Sequence, residues 1–243
     1  MNDLDFCGDF FKTVSGEPLN NFTHLFERQG CETIEQLGGN CIYKVRQVFD
    51  FCKSSQMFVQ AIVPENSFHH ACVLACNDEL YFFDPCLTQS IPLSLNELYS
   101  QELVVCKSVF DFALGESFVC VENSDLKDFL NVLWVVPNKN ERVYWNNLYD
   151  LKACSSQLIK PYETYDFKPR PQRLYLRFFN KNLACLQTIS YFIHSSEFCV
   201  GESFYDLDNR ESITQDFKRD FALSTGCSFA DFASEIKRAA DLI

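Results

Sequence analysis

The period of the hydrophobic pattern changes twice along the chain, and this order of elements limits the fold more than any single residue does. In Cys41–Cys52 (CIYKVRQVFDFC), Ile42, Val45, Val48, Phe49 and Cys52 recur at three- and four-residue spacing. Lys44, Arg46, Gln47 and Asp50 fall mostly off that stripe. This is an amphipathic helix, and residues 1–60 read as mostly helical around it. From Phe58 the pattern shortens into strand-like runs: Phe58–Val63, His69–Cys76, Glu79–Asp84, Glu102–Cys106, Phe118–Val121, Arg142–Leu151, Arg173–Phe179 and Leu183–Phe192. Ser124–Val136 fits helix or strand equally. Residues 160–172, with Pro161, Pro169 and Pro171, read as a connection. Helical spacing returns in Ile213–Leu223 and Phe229–Ile243, with a stop at Thr225-Gly226 and a capping pair at Ser228 and Asp231. Helices, then strands, then helices predict an α+β protein. The expected parts are a helical segment (1–60), a central β barrel or antiparallel sheet (61–160) and a small C-terminal α/β part (161–243).

Charge narrows the partners. The first 150 residues hold 9 basic and 21 acidic side chains, and the remaining 93 hold 12 of each. A net charge of −12 argues against a nucleic-acid partner. No apolar run approaches the length of a membrane span, and the N-terminus does not have the form of a secretory signal, so a cytoplasmic location is expected. The 13 cysteines include no C-x-x-C pair. The densest cluster, Cys72, Cys76 and Cys86, makes no zinc spacing with any of the four histidines. The reading is a reducing compartment, thiols acting as small core side chains, and no metal. One basic island, Phe167–Lys181, carries Lys168, Arg170, Arg173, Arg177 and Lys181 among aromatics. It is either a solvated strand face or a seat for an anionic ligand.

Three residues carry a chemistry together. Cys41 opens a helix after Gly38-Gly39, where unpaired N–H groups favour thiolate over thiol. A histidine, His69 or His70, lies on a following strand, and Asp84 ends the next strand of the same hairpin. An imidazole can take and return the thiol proton, and a carboxylate can orient that imidazole. If Asn77-Asp78 is a two-residue turn, Cys76 pairs with Glu79 and Ala71 with Asp84. His69 then shares a face with Asp84, and His70 points the other way. A bulge of one residue would reverse the choice.

These residues resemble the arylamine N-acetyltransferase family, within the wider papain-like and transglutaminase-like thiol enzymes. That family's Arg-Gly-Gly-x-Cys motif is matched by Leu37-Gly38-Gly39-Asn40-Cys41, and its histidine-to-aspartate spacing by His69 and Asp84 in HHACVLACNDELYFFD. Pro18-Leu19-Asn20-Asn21-Phe22 is similar to its Pro-Phe-Glu-Asn-Leu segment. Phe179–Leu186 is similar to its strand after the interdomain connection, and Phe221–Lys237 to its closing region. The motif arginine is Leu37 here, and Asp84-Pro85-Cys86-Leu87-Thr88 has no glycine where the family is Gly-rich. The resemblance implies transfer of an acetyl group from acetyl-CoA to an arylamine or hydrazine through a Cys41 thioester. Lys168, Arg170, Arg173 and Arg177 are candidates for the CoA phosphates. Two other readings stay open: a thiol hydrolase, deamidase or transglutaminase acting on protein amides, and a binding module without chemistry.

Overall fold

The computed structural model describes residues 3–63, 69–124, 129–137, 142–151, 172–201, 203–206 and 213–243. In chain order the elements are α1 (Asp3–Gly16), β1 (Leu19–Asn20), α2 (Thr23–Arg28), a 3-10 turn (Glu35–Leu37), α3 (Cys41–Ser54), β2 (Phe58–Ile62), β3 (Ala71–Cys76), β4 (Glu79–Phe83), β5 (Leu93–Ser94) and α4 (Leu95–Ser100). β6 (Leu103–Lys107), β7 (Phe118–Asn123), β8 (Phe129–Pro137) and β9 (Arg142–Asp150) follow. The chain closes with β10 (Arg173–Asn180), β11 (Cys185–Phe192), β12 (Glu197–Val200), β13 (Ser203–Asp206), α5 (Gln215–Thr225) and α6 (Phe229–Ala240). The architecture is α+β with antiparallel sheets. Among the described residues the strands form open sheets rather than a closed barrel.

Two compact units divide the chain, and they do not follow chain order. One is Met1–Gly16 with Cys41–Ile159, the other Glu17–Asn40 with Lys160–Ile243. The first unit holds two four-stranded sheets, β2-β3-β4-β5 and β6-β7-β8-β9. β3 lies between β2 and β4, so Ala71, Cys72, Val73 and Leu74 are all buried. Phe11 and Val14 of α1 and Val45, Val48 and Cys52 of α3 pack on Cys72, Leu74 and Phe83. Phe10 stacks on Phe51 at 3.9 Å, and Phe11 meets Phe83 edge-on at 4.8 Å. The stripe expected on α3 is therefore the buried face, with one exception. Lys44, placed by its spacing off the stripe, is 1 % exposed.

The second unit packs α2, α5 and α6 against a sheet in the order β1-β10-β11-β12-β13. β10 alternates strictly: Leu174, Leu176, Phe178 and Asn180 are buried, and Arg173 and Arg177 are on the opposite face. Phe178, Phe221, Phe229 and Phe232 form a ring cluster with centroids 5.2–5.7 Å apart between successive partners, the first two pairs edge-to-face and the last tilted. Ser228 caps α6 by accepting from the Asp231 N–H at 3.1 Å and donating to the Asp231 carboxylate at 2.6 Å. Gly226 ends α5 in the left-handed conformation at φ 75°. Ser124–Val136, left open between helix and strand, contains most of β8, because Leu130, Val132 and Trp134 alternate into the sheet interior. The connection expected at 160–172 lies, except for its last residue, outside the described residues.

Candidate active site

The loop ahead of Cys41 has a backbone that only glycine adopts readily. Gly38 sits at φ 62°, ψ −148°, and a Cβ there would lie 2.2 Å from the Pro18 carbonyl oxygen. Asn20 fastens the same loop. Its Nδ2 donates to the Leu37 and Gly38 carbonyls at 2.9 and 3.0 Å, and its Oδ1 accepts from the Phe22 and Thr23 N–H groups. Thr23 Oγ1 donates to Gly38 O at 2.9 Å, and Asn20 N–H to Gly39 O at 3.1 Å. Two of the segments quoted for the family resemblance, Pro18–Phe22 and Leu37–Gly39, are thus side by side. The next turn of chain begins α3 with Cys41 as its first residue.

The hairpin supplies the partners. Asn77 and Asp78 both have positive φ (51° and 64°), the two-residue primed turn that matches strand twist. Cys76 pairs with Glu79 and Cys72 with Phe83, so residue 84 follows the end of β4 opposite the start of β3. His69 Nε2–H donates to Asp84 Oδ2 at 2.6 Å. The Cys41 thiol hydrogen-bonds to both His69 and His70. The structure thus brings Cys41, His69 and Asp84 together. His70 differs from the register argument, which pointed it away. Both histidines precede the first ladder residue, Ala71, so strand alternation does not govern them.

Electrostatics follow from this geometry. Burial pushes the Cys41 thiol up, but hydrogen bonds and charge from His69 and His70 outweigh it and bring the pKa down to about 6. For His69, burial disfavours the charged ring, yet the Asp84 charge and hydrogen bond, with the Cys41 contribution, raise it to about 10. A thiolate–imidazolium pair is the state this pocket favours near neutral pH. Other thiols move the opposite way: burial, then neighbouring Cys7 and Cys76, pushes Cys52 up to about 12. Burial likewise carries Cys227 up to about 11.

Asp84 is fully buried and saturated with partners. Oδ2 also accepts from the Tyr149 hydroxyl at 2.7 Å, and Oδ1 accepts from the Cys86 N–H at 3.0 Å. The Asp84 N–H donates to Gln89 Oε1 at 2.6 Å, and Leu87 N–H to Asp84 O at 3.1 Å. Where the family is Gly-rich, this loop closes through side chains instead. Thr88 takes the left-handed conformation at φ 61°, unusual for a β-branched residue. It is held by Ser108 Oγ on its hydroxyl at 3.0 Å and Val109 N–H on its carbonyl at 2.8 Å. Lys44 Nζ, one turn along α3 from Cys41, donates to Val14 O at 2.9 Å and Pro85 O at 3.4 Å, tying α1 and this loop to the helix.

Sequence reasoning did not single out Tyr149, Gln89 or Lys44. Tyr149 is 65 positions from Asp84 and lies in a strand run whose pattern says only that alternate residues are buried. His69, Asp84 and Cys86 each place a ligand-type atom within 4.8 Å of the others, although spacing along the chain gave no metal motif. Of the basic island, Arg173 and Arg177 lie on β10 and Lys168 and Arg170 fall outside the described residues. Among the described residues, no helix is long and apolar enough to cross a membrane.

No family model matches the sequence, and no curated protein matches it by sequence. Solved structures do match. An N-arylamine acetyltransferase of Mycobacterium smegmatis, crystallised with a cysteine replaced by glutamine, is similar over 99% of this chain and 92% of its own, at 11% identity and a TM-score of 0.50. Arylamine N-acetyltransferase C of Bacillus anthracis is similar over 92% of this chain and 91% of its own, at 10% identity and a TM-score of 0.52. The fold of this chain is that of the arylamine N-acetyltransferases.

Proposed function

We propose that this chain, with an arylamine N-acetyltransferase fold, is a thiol acyltransferase that carries an acetyl group from acetyl-CoA to an arylamine or hydrazine on Cys41. The observation that carries the reading is the Cys41–His69–Asp84 cluster, with its 2.6 Å imidazole–carboxylate hydrogen bond. In the first half-reaction the Cys41 thiolate attacks the thioester carbonyl. The tetrahedral intermediate collapses, the CoA sulfur leaves, and His69 gives that sulfur its proton. In the second half-reaction the amine attacks the Cys41 thioester, His69 takes the amine proton, and Cys41 leaves as thiolate. Asp84 keeps Nε2 of His69 occupied, and Tyr149 keeps Asp84 in place. N–H groups at the start of α3 are the donors for the oxyanion. Arg173 and Arg177, with Lys168 and Arg170, are the basic groups offered to the CoA phosphates.

The test is incubation with radiolabelled acetyl-CoA. Label that survives denaturation on the wild type and is absent from Cys41→Ala supports the reading. Absence of label from folded wild type overturns it. A second reading, a deamidase or transglutaminase acting on protein amides, uses the same thioester chemistry. The observation favouring it is the glycine-free loop Asp84–Thr88, closed by the Asp84, Gln89 and Thr88 hydrogen bonds. Ammonia release from a glutamine-containing protein, with no acetyl label, selects it.

A further inference from the structure

Cys86 has no part in the acyl-transfer chemistry proposed above, yet its sulfur lies within 4.8 Å of ligand-type atoms of His69 and Asp84. The Cys86 N–H is bound to Asp84 Oδ1 at 3.0 Å, which turns the chain straight back after β4. Its side chain is buried, at 5 % exposure, beside the fully buried Asp84. Ligand-type atoms of His69, Asp84 and Cys86 all lie within 4.8 Å of one another. We propose that His69, Asp84 and Cys86 form an inhibitory site for a thiophilic divalent cation of the zinc class.

The donor set decides the class of ion. One nitrogen, one carboxylate oxygen and one thiolate suit zinc-like cations and not magnesium or calcium, which prefer oxygen alone. Zinc–ligand distances of about 2.0–2.3 Å place donors of a tetrahedral site about 3.3–3.7 Å apart. A pair at the 4.8 Å limit closes by about 1–1.5 Å to grip the ion, and the His69 Nε2–Asp84 Oδ2 pair, at 2.6 Å, opens by about 1 Å as the ion replaces its hydrogen bond. The fourth position stays open to water. His69 provides access, because its side chain is 21% exposed while Asp84 is sealed. On binding, the Cys86 thiol and the His69 ring each release a proton to water, and no electrons move. The cation then holds the ring and carboxylate that otherwise serve Cys41, so it closes the site without touching the nucleophile.

The ligand set stands on geometry alone, and only its inhibitory consequence rests on the acyltransferase reading. The test uses cobalt(II) as a spectroscopic substitute for zinc, on the full chain. Thiolate-to-cobalt absorption is expected in the wild type and in Cys41→Ala. It is expected to be lost in Cys86→Ala and in the near-isosteric Cys86→Ser, and to be displaced by zinc. Zinc is also expected to slow Cys41 alkylation in the wild type, at a concentration at least tenfold lower than in Cys86→Ser. Three results overturn the proposal: no absorption in the wild type, absorption that survives both Cys86 substitutions, or absorption lost in Cys41→Ala, which would put the ion on the nucleophile itself. Acetyl labelling is read separately, so failure of that chemistry leaves the cobalt result interpretable.

Discussion

Cys41 begins α3 with two imidazoles against its sulfur, and His69 is in turn held by the Asp84 carboxylate. Burial alone would raise the thiol, so the low value depends on the rings. Alkylation of Cys41 in the wild type is expected to fall as pH drops through about 6, the pH at which the thiolate takes up its proton. In His69→Ala one of the two rings that lower the thiol is lost, its pKa rises, and the alkylation rate at pH 7 drops, by up to about thirtyfold if the thiol reaches the ordinary range. A stopped-flow pH profile with iodoacetamide checks both. Tyr149→Phe removes a donor from a buried carboxylate and is expected to cost about 1.5–3 kcal/mol in urea unfolding. Cys41, a histidine and Asp84 were legible in the sequence because helix entry, hairpin length and strand parity are local properties. Tyr149 and the buried ammonium of Lys44 were not, since each acquires its role from a segment distant in the chain. His70 was misplaced for a different reason: alternation stops where the ladder stops.

The loop that precedes Cys41 in the chain depends on a single hydrogen-bonding side chain. The Asn20 side chain makes four bonds to backbone groups, and all its partners belong to residues 22–38. Asn20→Ala leaves buried carbonyls and N–H groups unmet and is expected to lower stability by about 2–4 kcal/mol in denaturant titration. Gly38→Ala meets both a forbidden backbone and the Pro18 oxygen, at a cost of about 3 kcal/mol or more. In α2, burial and then the charge of Arg28 depress His24 to about 4. The unfolded chain binds that proton first, so stability declines as pH falls from 6.5 toward 4. Between pH 7 and 5 the loss is about 2 kcal/mol, and His24→Gln is expected to remove that part of the slope. The glycine pair could be read from the sequence as a turn. The role of Asn20 could not, because its partners are assembled only when β1 lies beside residues 37–39.

At the scale of the whole molecule, the change of period predicted the α+β class, because burying one face of each element demands it. The division into units was not readable, since the first unit takes its opening helix from one side of residues 17–40 and its sheets from the other. Each unit has its own aromatic core. Phe232→Ala is expected to cost about 3–5 kcal/mol, measured by chemical unfolding, through loss of the Phe221, Phe229 and Phe198 contacts. The twelve described cysteines form no disulfide. Among the shifted thiols the order is wide: Cys41 is drawn down to about 6, and Cys227 and Cys52 are pushed up to about 11 and 12. A mildly acidic solution therefore separates them kinetically. A dye-bearing electrophile supplied in equal amount would seat itself at position 41 ahead of these two, with no need to strip them from the gene. The protein would become its own fluorescent gauge of whatever molecule next comes against His69 and Asp84.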